Sequence, residues 1–290
     1  MNNLVWMPLR VLQRFLDNHG IALGSNIAFS FILSFFPFLL LITAMLAIVG
    51  GETIGARTQE IFVAILPDGV ASVLRPEVDA VLKQDATSLL SLGIIVFLVT
   101  LTGAVESLRE GLNRSYGIAE RRSFMIRRLG GLLFVLCAGL VLILVTLALI
   151  AAPLVFELAL PHFPFLQDMR WTFDLVRIGA SFTILLAFVS ACHILLPARK
   201  IPLASLWPGV LLTLLLWWVA GNAYSYYITH FATYAKVYAG LAGMVTTLIF
   251  LHIIASLFLL GAEINAVLMR IQRKEKLALR QATNNQNGPD

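Results

Sequence analysis

Six apolar stretches recur along the chain, separated by polar or charged segments: residues 27–49, 88–105, 132–156, 178–196, 206–228 and 241–268. A helix needs about 20 mostly apolar residues to cross the hydrocarbon core of a bilayer, and each stretch is near or above that length. None alternates with the period of two that marks a barrel strand. A structure crossing lipid must satisfy its own backbone groups, so these stretches predict helices. The fold expected is all-α: a polytopic membrane protein with six transmembrane helices in residues 27–268.

The flanking segments carry helical patterns too. In the tail, residues 1–26, Leu9, Leu12, Phe15 and Leu16 share one face after Pro8, while Arg10, Gln13, Arg14 and Asp17 lie elsewhere. That is an amphipathic interfacial helix. The tail shows neither the short apolar core nor the small-residue site of a cleavable signal peptide. Between the first two apolar stretches, Val70, Val73, Leu74, Val78, Val81 and Leu82 form one helical stripe. A shorter helix over 56–66 and a Pro67-Asp68-Gly69 turn precede it. This predicts an amphipathic outer hairpin between helices 1 and 2, Ala56 to Leu82. It reads as a surface cover, a lid over a substrate route or a docking face. Residues 269–290 form a basic tail, expected to be disordered from Gln281 onward.

Charge sets the orientation. Of the 21 Lys and Arg, fifteen fall in the N-tail, the second and fourth loops and the C-tail. Only Arg57, Arg75, Lys83, Arg170, Arg177 and Lys236 fall in the alternate segments. The positive-inside rule then puts both termini in the cytoplasm. The composition agrees: 59% hydrophobic and 13% charged residues, where a soluble domain carries about a quarter charged. The net charge of +5 is therefore read as a topology signal and as contact with anionic membrane lipids. No motif or fold for nucleic acid accompanies it.

Catalytic chemistry finds no foothold in the motifs. Cys137 and Cys192 lie in apolar stretches without a nearby partner, and the five His have no metal-pair spacing. HExxH, GxSxG, P-loop and GxGxxG patterns do not occur. No enzyme, cofactor or metal is expected.

Polar residues inside the apolar stretches are costly and mark function or a structural partner. Glu263 is the only formal charge between Lys236 and Arg270. On a helical wheel His252, Ser256 and Glu263 fall within about 40°, opposite Gly243, Thr247, Gly261 and Asn265. Polar or small residues on two faces predict a helix surrounded by protein. Glu263 reads either as a partner of a backbone donor or Arg near the cytoplasmic end, or as a substrate or proton site. Ser30 and Ser34 share a face with Asn26, and Pro37 removes a donor and predicts a kink. Glu106 is placed to reach Arg109, and Glu110 to reach Arg114, as the second helix leaves the membrane. Gly221 and Ser225 form a small-xxx-small pair suited to close helix contact. His193 could relay a proton, though a satisfied interfacial His is the plainer reading.

Four blocks resemble the YihY/BrkB family of bacterial inner-membrane proteins, long mislabelled as ribonuclease BN. They are Ala28-Phe29-Ser30 through Leu33-Ser34-Phe35-Phe36-Pro37; Leu112-Asn113-Arg114-Ser115-Tyr116-Gly117 with Arg122-Ser123-Phe124 and Arg127-Arg128-Leu129; Leu195-Leu196-Pro197 with Lys200-Ile201-Pro202; and Tyr234 to Tyr238 with Leu259-Leu260-Gly261-Ala262-Glu263-Ile264-Asn265. The resemblance covers about Leu9 to Leu268. The chain departs from the family pattern at His193, Ala198, Ala239, Phe250 and His252, so the two His are weak candidates for a shared mechanism. Glu263, Asn265, Asn113, Ser34 and Pro37 are stronger ones. The resemblance implies a six-helix inner-membrane bundle of the cell envelope, with a role in moving a lipid or another envelope compound. Transport or export of a lipid or amphipathic solute is the expected function, with a non-catalytic scaffold docking an envelope partner as the alternative. The candidate site is Glu263, Asn265, Asn113, Ser30, Ser34, Pro37 and Glu106. The sequence does not name the substrate, the energy source or the oligomeric state.

Overall fold

The computed structural model describes residues 7–34, 86–146, 152–235 and 241–286. Among these, every regular element is helical: α1 (Met7–Asp17), α2 (Gly20–Ser34), α3 (Ala86–Tyr116), α4 (Phe124–Thr146), α5 (Ala152–Ala159), α6 (Arg170–Leu195), α7 (Trp207–Ala235) and α8 (Leu241–Gln286). Two short 3-10 turns, Pro164–Gln167 and Leu203–Ser205, join α5 to α6 and α6 to α7. Pro37, Tyr238 and the Ala56–Leu82 hairpin lie outside the described residues.

The helix ends follow local chemistry. His19 adopts a positive φ of 59° and ends α1. Gly117 at φ 67° ends α3. There the Ile118 amide donates to the Asn113 carbonyl at 2.8 Å, and the Gly117 amide to the Arg114 carbonyl at 3.1 Å. This is a Schellman motif, whose left-handed residue is normally Gly. α6 stops before Pro197, which cannot extend a helix.

Three described helices are long and apolar enough to cross a membrane: Phe124–Val141, Arg170–Leu195 and Val245–Gln281. Their outward side chains fit that setting. Along α4, Leu129, Leu133, Leu136 and Leu140 form an exposed stripe, an apolar patch that suits lipid rather than water. The helix forms ahead of its apolar stretch, starting at Phe124 rather than Leu132. α8 runs unbroken for 46 residues, about 69 Å at 1.5 Å per residue. The tail expected to be disordered from Gln281 is therefore helical through Gln286. Gln272 to Ala282 is composed entirely of strong helix formers, which carries the helix past Gln281 into Thr283, Asn284 and Asn285, weaker formers.

The chain divides into two compact units. The first comprises Met1–Asn18, Arg109–Leu215 and Leu259–Asp290, and the second His19–Leu108 and Leu216–Phe258. In the first, α4 packs on α6, with Phe134 stacked on Phe188 at 5.8 Å between ring centroids. In the second, a Cβ on Gly24 would collide with the Ser256 hydroxyl, so the helices approach closely there. Trp217 Nε1 donates to the Ile254 carbonyl at 2.9 Å, and Tyr224 stacks on Phe250 at 4.3 Å.

Candidate functional site

The first unit contains a dense cluster of buried polar groups, built on the end of α3 and the middle of α8. Glu263 is 1% exposed. Its Oε2 accepts from Arg14 Nε at 3.0 Å, and its Oε1 from Asn18 Nδ2 at 2.5 Å. Both donors come from α1 and the turn after it, where an i, i+4 spacing puts them on one side. Arg14 Nη2 also donates to the Ser115 carbonyl at 2.9 Å. That carbonyl is in the last turn of α3, where helix acceptors lack intrahelical partners and a cation is favoured.

Asn265 lies on another face of α8. Its Oδ1 accepts from the Gly209 amide at 2.7 Å, which satisfies a donor in the first turn of α7. Contact here is at the limit of approach. A Cβ on Gly209 would strike the Gly261 carbonyl and come within 2.6 Å of the Asn265 amide. A Cβ on Gly261 would strike the Thr213 hydroxyl, which itself donates to the Gly209 carbonyl at 2.8 Å. Small residues thus create the close helix contact expected in membranes, but not where the sequence suggested. Among the described residues, a Cβ on Gly221 would meet nothing within 4 Å. Which small residue faces a neighbour depends on helix rotation, which spacing does not fix.

Tyr116 and His193 link α3 to α6. The phenol oxygen is 2.7 Å from His193 Nδ1, and the His is fully buried. Asn265 Nδ2 interacts with the phenol without reaching normal hydrogen-bond geometry. Burial pushes the Tyr116 phenol well above its usual pKa; the Asn265 amide opposes this and the Glu263 charge adds to it. Tyr116 is therefore a neutral hydroxyl, able to donate to the ring nitrogen.

Asn113 ties down two loops. Its Nδ2 donates to Glu120 Oε2 at 3.1 Å, and its Oδ1 accepts from the Ala198 amide at 2.9 Å. Glu120 in turn accepts from Arg122 Nε at 2.9 Å and Nη2 at 3.0 Å. Arg122 Nη2 also donates to the Leu196 carbonyl at 2.7 Å, which satisfies an acceptor at the end of α6. The Arg122 hydrogen bonds and charge hold the Glu120 carboxyl down at about 2, against a smaller opposing effect of burial. Buried Arg109 donates to the Arg127 carbonyl at 3.2 Å, and Glu110 pairs with Arg114.

Glu263, Asn265 and Asn113 thus belong to one compact unit, and all three are buried. Ser30, Ser34 and Glu106 belong to the other. Ser34 bonds its own helix, donating to the Phe31 carbonyl at 2.9 Å. Ser30 lies beside Gly103, 3.6 Å from where a Cβ would be. Sequence reasoning missed Arg14, Asn18 and Glu120 as partners. The signal for the first two was their i, i+4 spacing on an otherwise amphipathic helix.

Long apolar helices with outward-facing leucines and a buried ion pair define a helical integral membrane protein. The chain belongs to the virulence factor BrkB family, whose model matches residues 11–286. It is 28% identical over 262 residues to YfkH of Bacillus subtilis, a protein named ribonuclease-like, covering 89% of this chain and 93% of that protein. It is 24% identical over 260 residues to the UPF0761 membrane protein RC1_0578 of Rhodospirillum centenum, covering 89% of this chain and 56% of that protein. The UPF0761 membrane protein lpg0643 of Legionella pneumophila matches similarly, at 24% identity over 258 residues, 88% of this chain and 60% of that protein. The chain thus spans little more than half the length of these two UPF0761 relatives. No solved structure matches the chain.

Proposed function

We propose that this protein is a six-span inner-membrane protein with both termini cytoplasmic, and that it transports or exports a lipid or amphipathic solute. The observation that carries this reading is the ion pair of Glu263 with Arg14. A carboxylate on a membrane-length helix is expensive to keep charged, and packing alone does not require one. Its partner sits on a short helix that is one element of sequence away from the core spans, so the pair is a latch that substrate or a conformational step can open. Membrane lipids are the natural partners of so apolar a surface. The ribonuclease-like name belongs to YfkH, and this reading takes no activity from it. The test is movement of a labelled lipid in liposomes containing the purified protein. Glu263→Gln and Asn265→Ala are expected to slow it; full movement in both variants would sink the site.

One observation favours the second reading, a membrane scaffold. α8 continues as helix well past Leu268, with Leu277 and Leu279 exposed. Crosslinking from these positions in intact cells would capture an envelope or cytoplasmic partner if docking is the role.

A further inference from the structure

Beyond Leu268, α8 continues as helix to Gln286, and its side chains from Gln272 to Arg280 are exposed. Its charges are not scattered around it. At about 100° per residue, Arg273, Lys274 and Arg280 all lie within about 60° of Leu277. Leu277 itself is 50% exposed. Glu275, the one carboxylate of α8 after Glu263, lies about 160° away, on the same side as Leu279. Arg270 shares the basic face, but its guanidinium is turned onto Gly117 at the end of α3. Among the described residues, Arg273, Lys274 and Arg280 take part in no ion pair. A basic run after a span sets topology by its number of cations. Gathering three of them around one leucine, with the lone acid turned away, adds nothing to that signal.

Position and chemistry narrow what this stripe meets. Leu277 and Arg280 stand roughly 14 and 18 Å along the axis beyond Leu268, where the apolar stretch ends. The headgroup layer is only about 5–8 Å deep on each side of the hydrocarbon core, and a usual tilt of about 20° shortens the reach little. The stripe is therefore past the lipid. A second copy of this chain would bring the same cations and be repelled. Nucleic acid would match the cations but leave Leu277 without a partner, and residues 271–286 hold no aromatic ring on which a base could stack. An acidic helix with an apolar residue at its centre matches both parts.

We propose that Arg273, Lys274, Leu277 and Arg280 form a docking stripe for the acidic face of an amphipathic helix of another protein. Leu277 packs on the apolar centre of that face, and the three cations pair with carboxylates around it. The inference rests on the docking reading of α8, and not on lipid movement.

The test is a photoreactive residue replacing Leu277, Glu275 or Leu279 in the full chain in intact cells, with the captured peptide sequenced. Position 277 is expected to capture a segment with Asp or Glu three or four residues apart, and positions 275 and 279 to miss it. That segment, synthesised and labelled, is then titrated against the purified protein in neutral detergent. Each exposed ion pair contributes a few-fold in affinity, so Arg273→Gln with Lys274→Gln should weaken binding about ten-fold. Arg273→Lys with Lys274→Arg should keep it, and Glu275→Gln should leave it unchanged. Gln is a strong helix former, so α8 persists in these variants, which circular dichroism verifies. Capture of a segment without the acidic spacing, capture of one segment equally from 275 and 277, or unchanged affinity in Arg273→Gln with Lys274→Gln would overturn the proposal and leave the docking reading standing. Capture of only lipid, nucleic acid or a second copy, or of nothing, at both 277 and 279 would overturn both.

Discussion

The two units hold themselves together by different chemistry. The first relies on charged and amide side chains that reach across long sequence distances, as Arg14 does to Glu263 over 249 residues. The described contacts of the second are close approach and rings, which the first also has at Gly209 and Phe134: Gly24 against Ser256, Trp217 on the Ile254 carbonyl, Tyr224 on Phe250. Among its described polar groups, Ser34 and Thr102 donate to carbonyls three residues back in their own helices. The difference bears on what each can do. A buried charge is stable only while its partner stays in place, so it can couple a movement to a free-energy change. A ring stack or a hydroxyl bonded to its own helix tolerates small shifts without a comparable cost.

Breaking the pair should therefore give the largest effect. Arg14→Ala leaves the buried Glu263 carboxylate with Asn18 and the charge of Arg270 but without its hydrogen-bonded cation, and losing one partner of a buried pair costs about 3–5 kcal/mol. Glu263→Gln should cost less, because the amide can still accept from Asn18. In the second unit Ser25→Ala removes only the 3.2 Å contact with His252, a loss of about 1 kcal/mol or less. Thermal unfolding in detergent ranks the three; equal losses would erase the contrast between the units.

The glycines sharpen the same contrast by sterics. Gly209→Ala sets a methyl group against the Gly261 backbone carbonyl, which cannot move aside, and overpacking of this kind costs about 1–3 kcal/mol. Gly24→Ala meets a Ser hydroxyl that can rotate, and the helix gain of about 0.5–1 kcal/mol brings the net close to zero. Gly139 has nothing within 4 Å, so Gly139→Ala should stabilise by about that helix gain alone. Asn113→Ala falls between these: it frees both the Glu120 loop and the Ala198 amide, at about 1–3 kcal/mol. Limited proteolysis should then cut within 117–123 or 196–200 where the parent resists.

How much of this was legible in the sequence depends on the range of the signal. Helix, apolar stripe and membrane setting follow from spacing and composition. Glu263, Asn265 and Asn113 stood out because polar side chains in or beside an apolar stretch have few places to go. Their partners did not. Arg14 was absorbed into the count of basic residues that sets topology, and nothing local ties it to a carboxylate on α8. His193, whose plainer reading is a satisfied His rather than a proton relay, is fully buried against Tyr116. Gly221 and Gly209 look alike as letters; only helix rotation decides which one meets a neighbour.

The smallest effect expected is on pH, and it isolates the loop that Asn113 holds. Glu120 titrates at about 2 in the folded protein because Arg122 bonds and attracts its charged form, against 4.5 for an ordinary Glu. A depressed carboxylate stabilises the fold above its unfolded pKa, and that contribution is lost as pH falls through the folded value. Stability should therefore be level above about pH 5 and decline between about 4.5 and 2. The pair is partly exposed, at 22% for Glu120 and 27% for Arg122, so solvent screening keeps the decline modest. Glu120→Gln should remove the part of the decline owed to this group while leaving Glu263 and its arginine untouched. Melts from pH 6 to 2, run at low and high salt, would reveal it as a difference that shrinks with salt. An identical decline in parent and variant would mean that the Glu120–Arg122 pair contributes nothing to stability, and that Asn113 secures the loop through Ala198 alone.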